Sequence, residues 1–249
     1  MEQIKTDRKG KIFTQPITPE IKISDTQKKK LIKEFLNIDI QFYKDFENLF
    51  LSTANDYVSG YELTEEIKMI LINVFRQIKG EYFYKVDPCT GKYIEASDAD
   101  RQKGIYIAGP TGTGKTTLCK ILFKTLSSIA LKFYYPDKIY QYNTICVSEL
   151  SINKEYMKTG DFQFMQRSSL FVDDIGQAKE IQYMGNKLEP LKEIITERYD
   201  NLKYTFTSFT SNYPINHNAI ISQYGERVAD RIQAMANYYT ITAKNFRRE

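Results

Sequence analysis

Apolar residues recur along this chain at two different periods, and the change of period divides it. From about Thr26 to Leu51, the residues Leu31, Phe35, Ile38, Phe42, Phe46, Leu49 and Phe50 fall at helical spacing, which predicts one amphipathic helix or a helix pair. Asn55, Asp56, Ser59 and Gly60 interrupt it. A second helix is predicted from Thr64, a suitable N-cap, with Ile67, Ile70, Leu71, Val74, Phe75 and Ile78 on one stripe and Gly80 at its end. Ahead of both, residues 1–25 carry Gly10, Pro16, Pro19 and many charges without any period, and predict an extended or disordered arm. The sequence therefore divides into an arm with a small helical unit, residues 1–80, and a larger domain, residues 81–249.

In the larger part, short apolar runs alternate with helical patterns. Tyr82–Val86 and Lys92–Glu95 flank a turn-rich stretch from Asp87 to Gly91, as in a hairpin. Ile105–Ala108 is a strand, and Leu118, Ile121, Leu122, Leu126 and Ile129 make a helix. Thr144–Val147 is a second strand, and Ser148 caps the helix after it. Leu170–Val172 forms a third strand that ends in Asp173 and Asp174. A polar loop with Gly176 and Gly185 leads to a helix carrying Leu188, Leu191, Ile194, Ile195 and Tyr199. A strand that starts at Tyr204–Thr207 and runs to Thr210-Ser211-Asn212, a helical stretch over 215–236 and a last strand at Tyr238–Ile241 complete the pattern. Strands alternating with helices predict an α/β fold, a parallel sheet with helices on both faces.

Charge refines the division. Residues 1–33 hold nine Lys/Arg against four acids, a balance of +5, which leaves −1 for the remainder of a chain whose total is +4. A basic arm on a near-neutral body suits a polyanion or an acidic partner surface, and equally a solvated tail. Cys89, Cys119 and Cys146 are odd in number and widely spaced, so they indicate neither a disulfide framework nor a zinc site and fit a reducing, cytoplasmic setting. No apolar run approaches the roughly 18 residues of a membrane span, and no membrane role is expected.

Chemistry concentrates after the first strand of the larger part. Gly109-Pro110-Thr111-Gly112-Thr113-Gly114-Lys115-Thr116 fulfils the eight-residue phosphate-loop pattern at every defined position, and Thr117 continues it into the helix. Backbone N–H groups of such a loop converge on phosphate oxygens, Lys115 reaches the β- and γ-phosphates of ATP, and the Thr116 hydroxyl can ligate Mg²⁺. Asp173 and Asp174 end a buried strand, where α/β sheets form their ligand crevice. There Asp173 can hold the Mg²⁺, and Asp174 can orient or deprotonate an attacking water. Asn212 ends a strand expected beside it. Its neutral amide can bond the water or the γ-phosphate without adding negative charge, although Ser-Asn-Tyr-Pro is also an ordinary turn. Arg227 and Arg231 lie four residues apart on one helical face, suited either to neutralising a transferring phosphate or to surface pairing with Glu226 and Asp230.

The order of these motifs is specific as a set. The phosphate loop, Leu-Phe-Val-Asp-Asp-Ile-Gly, Glu197-Arg198-Tyr199, Thr210-Ser211-Asn212 and Gly225-Glu226-Arg227-Val228-Ala229-Asp230-Arg231 resemble those of the AAA+ P-loop ATPases that load replicative helicases, the DnaC and DnaI type, and of IstB-type transposition helpers. The resemblance covers about residues 100–249. It implies Walker A at Lys115 and Thr116, Walker B at Asp173 and Asp174, sensor 1 at Asn212, an arginine finger at Arg231 with Arg227 as the alternative, and sensor 2 at Arg247. It further implies Mg²⁺-dependent ATP hydrolysis, a homo-oligomer in the ATP state, and two partners, a hexameric replicative DNA helicase gripped by the N-terminal unit and single-stranded DNA. Three departures stand against full transfer. The second Walker B position is Asp rather than the commoner Glu, which favours slow hydrolysis or an ATP-dependent binding module. The stretch 148–169, where loaders carry a strand-binding insert, is short. The N-terminal unit has no cysteine cluster.

Overall fold

The computed structural model describes residues 2–6, 12–16, 40–79, 81–97, 100, 103–128, 132–135, 138–141, 144–161, 169–177, 180–200 and 206–242. The chain forms two compact units, residues 1–37 and 38–249. In the first, β1 (Glu2–Thr6) and β2 (Ile12–Pro16) pair antiparallel from Glu2↔Pro16 to Thr6↔Ile12. The arm thus contains a ladder where the sequence, lacking any alternating pattern, predicted none.

The second unit begins with α1 (Ile40–Asn55) and α2 (Glu65–Lys79). Thr64 caps α2, its hydroxyl accepting from the Ile67 amide at 3.3 Å, and Glu65 and Glu66 place negative charge at the positive end of the helix. Phe46, Phe50 and Ala54 of α1 and Ile67, Ile70, Leu71, Val74 and Phe75 of α2 are buried, joined by a Phe46–Phe75 contact with centroids 5.5 Å apart. The hairpin β3 (Tyr84–Val86) with β4 (Tyr93–Glu95) follows.

Next come β5 (Gly104–Ala108), α3 (Lys115–Ser128), a hairpin of β6 (Lys132–Tyr135) and β7 (Lys138–Gln141), β8 (Thr144–Ser148) and α4 (Glu149–Thr159). β9 (Ser169–Ile175) leads to a small hairpin of β10 (Ile181–Tyr183) and β11 (Asn186–Leu188), then α5 (Pro190–Asp200). Last are β12 (Thr207–Ser211), α6 (Asn218–Tyr224), α7 (Glu226–Met235) and β13 (Ala236–Thr240).

α1 packs against α3, so the helical pair belongs to the same compact unit as the sheet. By compactness the units divide at Asn37/Ile38, and α1 and α2 of the predicted 1–80 unit lie with the sheet. The apolar stripes that suggested a separate unit are buried within this one, because neither helix can bury its face alone.

Five strands make one parallel sheet in the order β13-β5-β12-β9-β8. Alternation along β9 covers both of its faces. Phe171 meets Phe123 of α3 with centroids 5.5 Å apart, while Leu170 and Val172 join Leu191, Ile194, Ile195 and Ile232 in the core on the other side. β12 runs over Thr207–Ser211, within the strand predicted from Tyr204 toward Asn212, and residues 201–205 lie outside the described ones. Its sequence, Thr-Ser-Phe-Thr-Ser, is polar yet fully buried. The hydroxyls make this tolerable by bonding. Ser208 accepts from the Ile105 amide at 3.1 Å, Ser211 donates to the Ile175 carbonyl at 2.9 Å, and Thr207 accepts from Arg198 Nε at 2.8 Å. The predicted helix over 215–236 is two helices broken at Gly225, whose φ of 83° suits a residue without a side chain.

Candidate functional site

The carboxyl ends of β5, β9 and β12 lie side by side, and each supplies part of one cluster. After β5 the chain turns through Gly112 and Gly114, with φ of 88° and 82°, into the N-terminus of α3. Gly109 has another constraint. A Cβ there would lie 2.1 Å from the Ile241 carbonyl oxygen, so only glycine lets the loop pass the end of the neighbouring chain segment.

Lys115 is 5% exposed. Its ammonium donates to the carbonyls of Gly109 at 2.8 Å and Pro110 at 2.9 Å and to Asn212 Oδ1 at 3.1 Å. A lysine from α3 and an amide from the end of β12, 97 positions apart, thus meet across the loop. On the other side, the Thr116 hydroxyl donates to Asp173 Oδ1 at 2.8 Å. Adjacent oxygens of an octahedral Mg²⁺ at about 2.1 Å from the ion are about 3 Å apart, so the spacing of this pair suits two neighbouring ligands of such an ion. Among the described residues no group of three or more His, Cys, Asp or Glu could hold a metal. The fit is to a Mg²⁺ that keeps waters and substrate phosphates for its other positions.

Thr210 was quoted in the sequence only as a neighbour of Asn212, yet it organises both acids. Fully buried, its hydroxyl donates to Asp173 Oδ1 at 2.6 Å and accepts from the Asp174 amide at 3.0 Å. The β9–β12 register shifts at this point, between Phe209↔Val172 and Ser211↔Ile175, so β9 carries one extra residue. Asp174 absorbs that residue with a left-handed φ of 56°, a conformation Asp tolerates better than most side chains. The bulge re-aims the strand end, and Asp174 lies exposed there.

The arginines are placed differently. Arg231 does not join the cluster. It lies 5.2 Å over the Tyr199 ring, within 3.8 Å of Asp200, and is 9% exposed. Arg227, one turn earlier, is exposed. Arg247 lies outside the described residues. Arg198, also unassigned from sequence, is 1% exposed; burial lowers its pKa to about 10, which leaves it protonated, and it bonds Thr207 and the Phe206 carbonyl at 3.1 Å. Cys119, one turn past Lys115, is buried, and burial together with the Asp173 carboxylate raises its thiol, which remains protonated and unreactive.

No family model matches this chain, and no curated protein does. Among solved structures it is similar to DnaI, at 20% identity over 76% of this chain and 88% of that one with a TM-score of 0.47. It is similar to the DnaC helicase loader, at 20% identity over 73% and 94% with a TM-score of 0.45. It is also similar to a candidate primosome component from Streptococcus pyogenes serotype M3, at 23% identity over 57% and 70% with a TM-score of 0.43.

Proposed function

We propose that this chain is a Mg²⁺-dependent AAA+ ATPase of the helicase-loader kind. The observation that carries the ATPase reading is the meeting of Lys115 with Asn212 and of Thr116 with Asp173 at the ends of three adjacent strands. Triphosphate oxygens would lie in the amides of Gly112 to Thr117, with Lys115 turning from its carbonyl acceptors to the β- and γ-phosphates. Bound Mg²⁺ neutralises charge on those phosphates. Asp173 and Thr116 hold it, Asp174 orients water, and Asn212 bonds the water or the γ-phosphate. The loader reading rests on the motif order in the sequence. It brings with it a replicative helicase, single-stranded DNA and an ATP-dependent homo-oligomer as partners, in the cytoplasm.

One observation favours a second reading. Asp174 is a methylene shorter than glutamate and sits exposed on a left-handed residue, which suits a module that binds ATP to hold a partner and turns it over slowly.

Lys115→Ala tests the site. Turnover should fall about tenfold or more with the melting temperature retained, since the lost ammonium acts on the transferring phosphate. Unchanged hydrolysis would sink the enzyme assignment. Co-purification with a replicative helicase, with and without ATP, tests the loader assignment separately. Hydrolysis measured with and without single-stranded DNA distinguishes a stimulated ATPase from a slow binding module.

A further inference from the structure

Burying a carboxylate is unfavourable unless its lone pairs are taken up by donors. Glu149, first residue of α4, is 4% exposed and its oxygens accept bonds from two other parts of the fold. Oε2 accepts from the amides of Gly176 at 3.2 Å and Gln177 at 3.3 Å, in the loop that leaves β9 directly after the two acids. Oε1 accepts from the Tyr224 hydroxyl at 2.5 Å and from Gln223 Nε2 at 3.2 Å, at the end of α6. The Tyr224 hydroxyl in turn accepts from the Gly176 amide at 2.7 Å, closing a three-sided joint.

Packing holds the same joint. Gly176 has a φ of 90°, and a Cβ on it would lie 2.7 Å from Ile220 Cδ1, so α6 rests directly on this backbone. Beyond Tyr224 the chain passes through Gly225 into α7, where Arg227 is exposed. The first residue of α4, the exit of the acidic strand and the α6–α7 corner are therefore fastened at one carboxylate. Burial and the Glu149 charge both keep the Tyr224 hydroxyl protonated and donating.

We propose that Glu149 is a positioning residue that fixes the backbone following Asp173 and Asp174 and joins it to the α6–Gly225–α7 corner, so that the acidic strand end and the Arg227 helix move as one. The proposal rests on the ATPase reading for its effect on turnover. For the joint itself it does not.

The test uses the full chain with Glu149→Ala, Glu149→Gln and Tyr224→Phe. For Glu149→Ala, kcat for ATP should fall about tenfold, the scale typical of groups that orient metal ligands, while KM and ATP affinity stay within about threefold. Glu149→Gln should recover most of the loss, because its carbonyl oxygen still accepts from both loop amides; Tyr224→Phe should fall between them. Wild-type kcat in folded Glu149→Ala protein overturns the proposal, and so does a Gln variant as poor as Ala at equal melting temperature. Amide hydrogen exchange is read alongside, on residues 174–177 and 218–230. In the wild type the two segments should open together, and in Glu149→Ala they should open independently. If the wild-type chain hydrolyses no ATP, the ATPase reading falls and exchange alone decides the joint: uncoupled opening in the variant supports it, and unchanged exchange overturns it.

Discussion

Thr210 is the residue whose importance exceeds its visibility. One hydroxyl serves as donor to the proposed Mg²⁺ ligand and as acceptor for the amide of the next acid, at the place where the β9–β12 register shifts. Thr210→Val keeps the shape and removes both bonds. It takes one donor from Asp173 and the Thr210 acceptor from the Asp174 amide. Stability should drop by about 1–3 kcal/mol and the Mg²⁺ concentration for half-maximal turnover should rise, as read by thermal melting and a Mg²⁺ titration of ATP hydrolysis. The two arginines call for the opposite expectations. Arg231→Ala removes a guanidinium stacked on Tyr199 and should cost about 1 kcal/mol in the isolated chain. Arg227→Ala should leave the melting temperature unchanged and remove any part of turnover that rises more than linearly with protein concentration, the mark of a group acting on a neighbour's site. Mixing each variant with Lys115→Ala protein shows which arginine complements.

At the scale of elements, Asp100 joins three pieces that the sequence separates. Its carboxylate pairs with Lys85 of β3 and with Lys103 just before β5, each at 2.7 Å, and accepts from the Ser97 amide at 2.8 Å. Its backbone carbonyl accepts from Asn237 of β13 at 2.8 Å. Burial alone would raise its pKa, but the bonds from Lys103, Lys85 and Ser97 outweigh burial and hold it well below the usual aspartate value. A depressed folded-state pKa adds stability that is whole above the unfolded value, about 3.9, and is lost as pH falls through the folded value. Asp100→Asn should therefore lower stability at pH 7 by about 2 kcal/mol and make the acid limb of the unfolding curve shallower. Melting curves from pH 7 to pH 2 check both. The hairpin carrying Lys85 was legible from the turn residues Asp87 to Gly91 between the runs Tyr82–Val86 and Lys92–Glu95. The β10–β11 hairpin was not, because its turn, Met184-Gly185 with φ of 49° and 84°, places a methionine where Asn or Asp would signal the turn type.

For the whole molecule, the position of α1 and α2 decides where the chain can be cut. A chain starting at Ile38 should melt like the full protein and keep ATP turnover, having lost only the unit of residues 1–37. A chain starting at Glu81 loses the partners of α3 and should aggregate or melt far lower, as size-exclusion chromatography and calorimetry will show. The +5 of residues 1–33 should contribute an association that weakens with salt, since charges at an exposed surface are screened beyond about 8 Å at physiological ionic strength. If the chain starting at Ile38 binds a helicase as tightly as the full protein does, the arm is not the grip.

The phosphate loop, the acidic strand end and the alternation of strand and helix were all readable from the sequence. Each depends on residues adjacent in the chain: a glycine turn, a run of apolar residues, a capping threonine. What needed the tertiary structure depends on partners far apart. β12 is polar, and only its neighbours' donors and acceptors make it a buried strand. Lys115 meets Asn212 across 97 positions, and Glu149 meets Tyr224 across 75. The same helical stripe fits a separate domain or the flank of a sheet. Burial is a property of what a face packs against, and no local pattern records which partner that is.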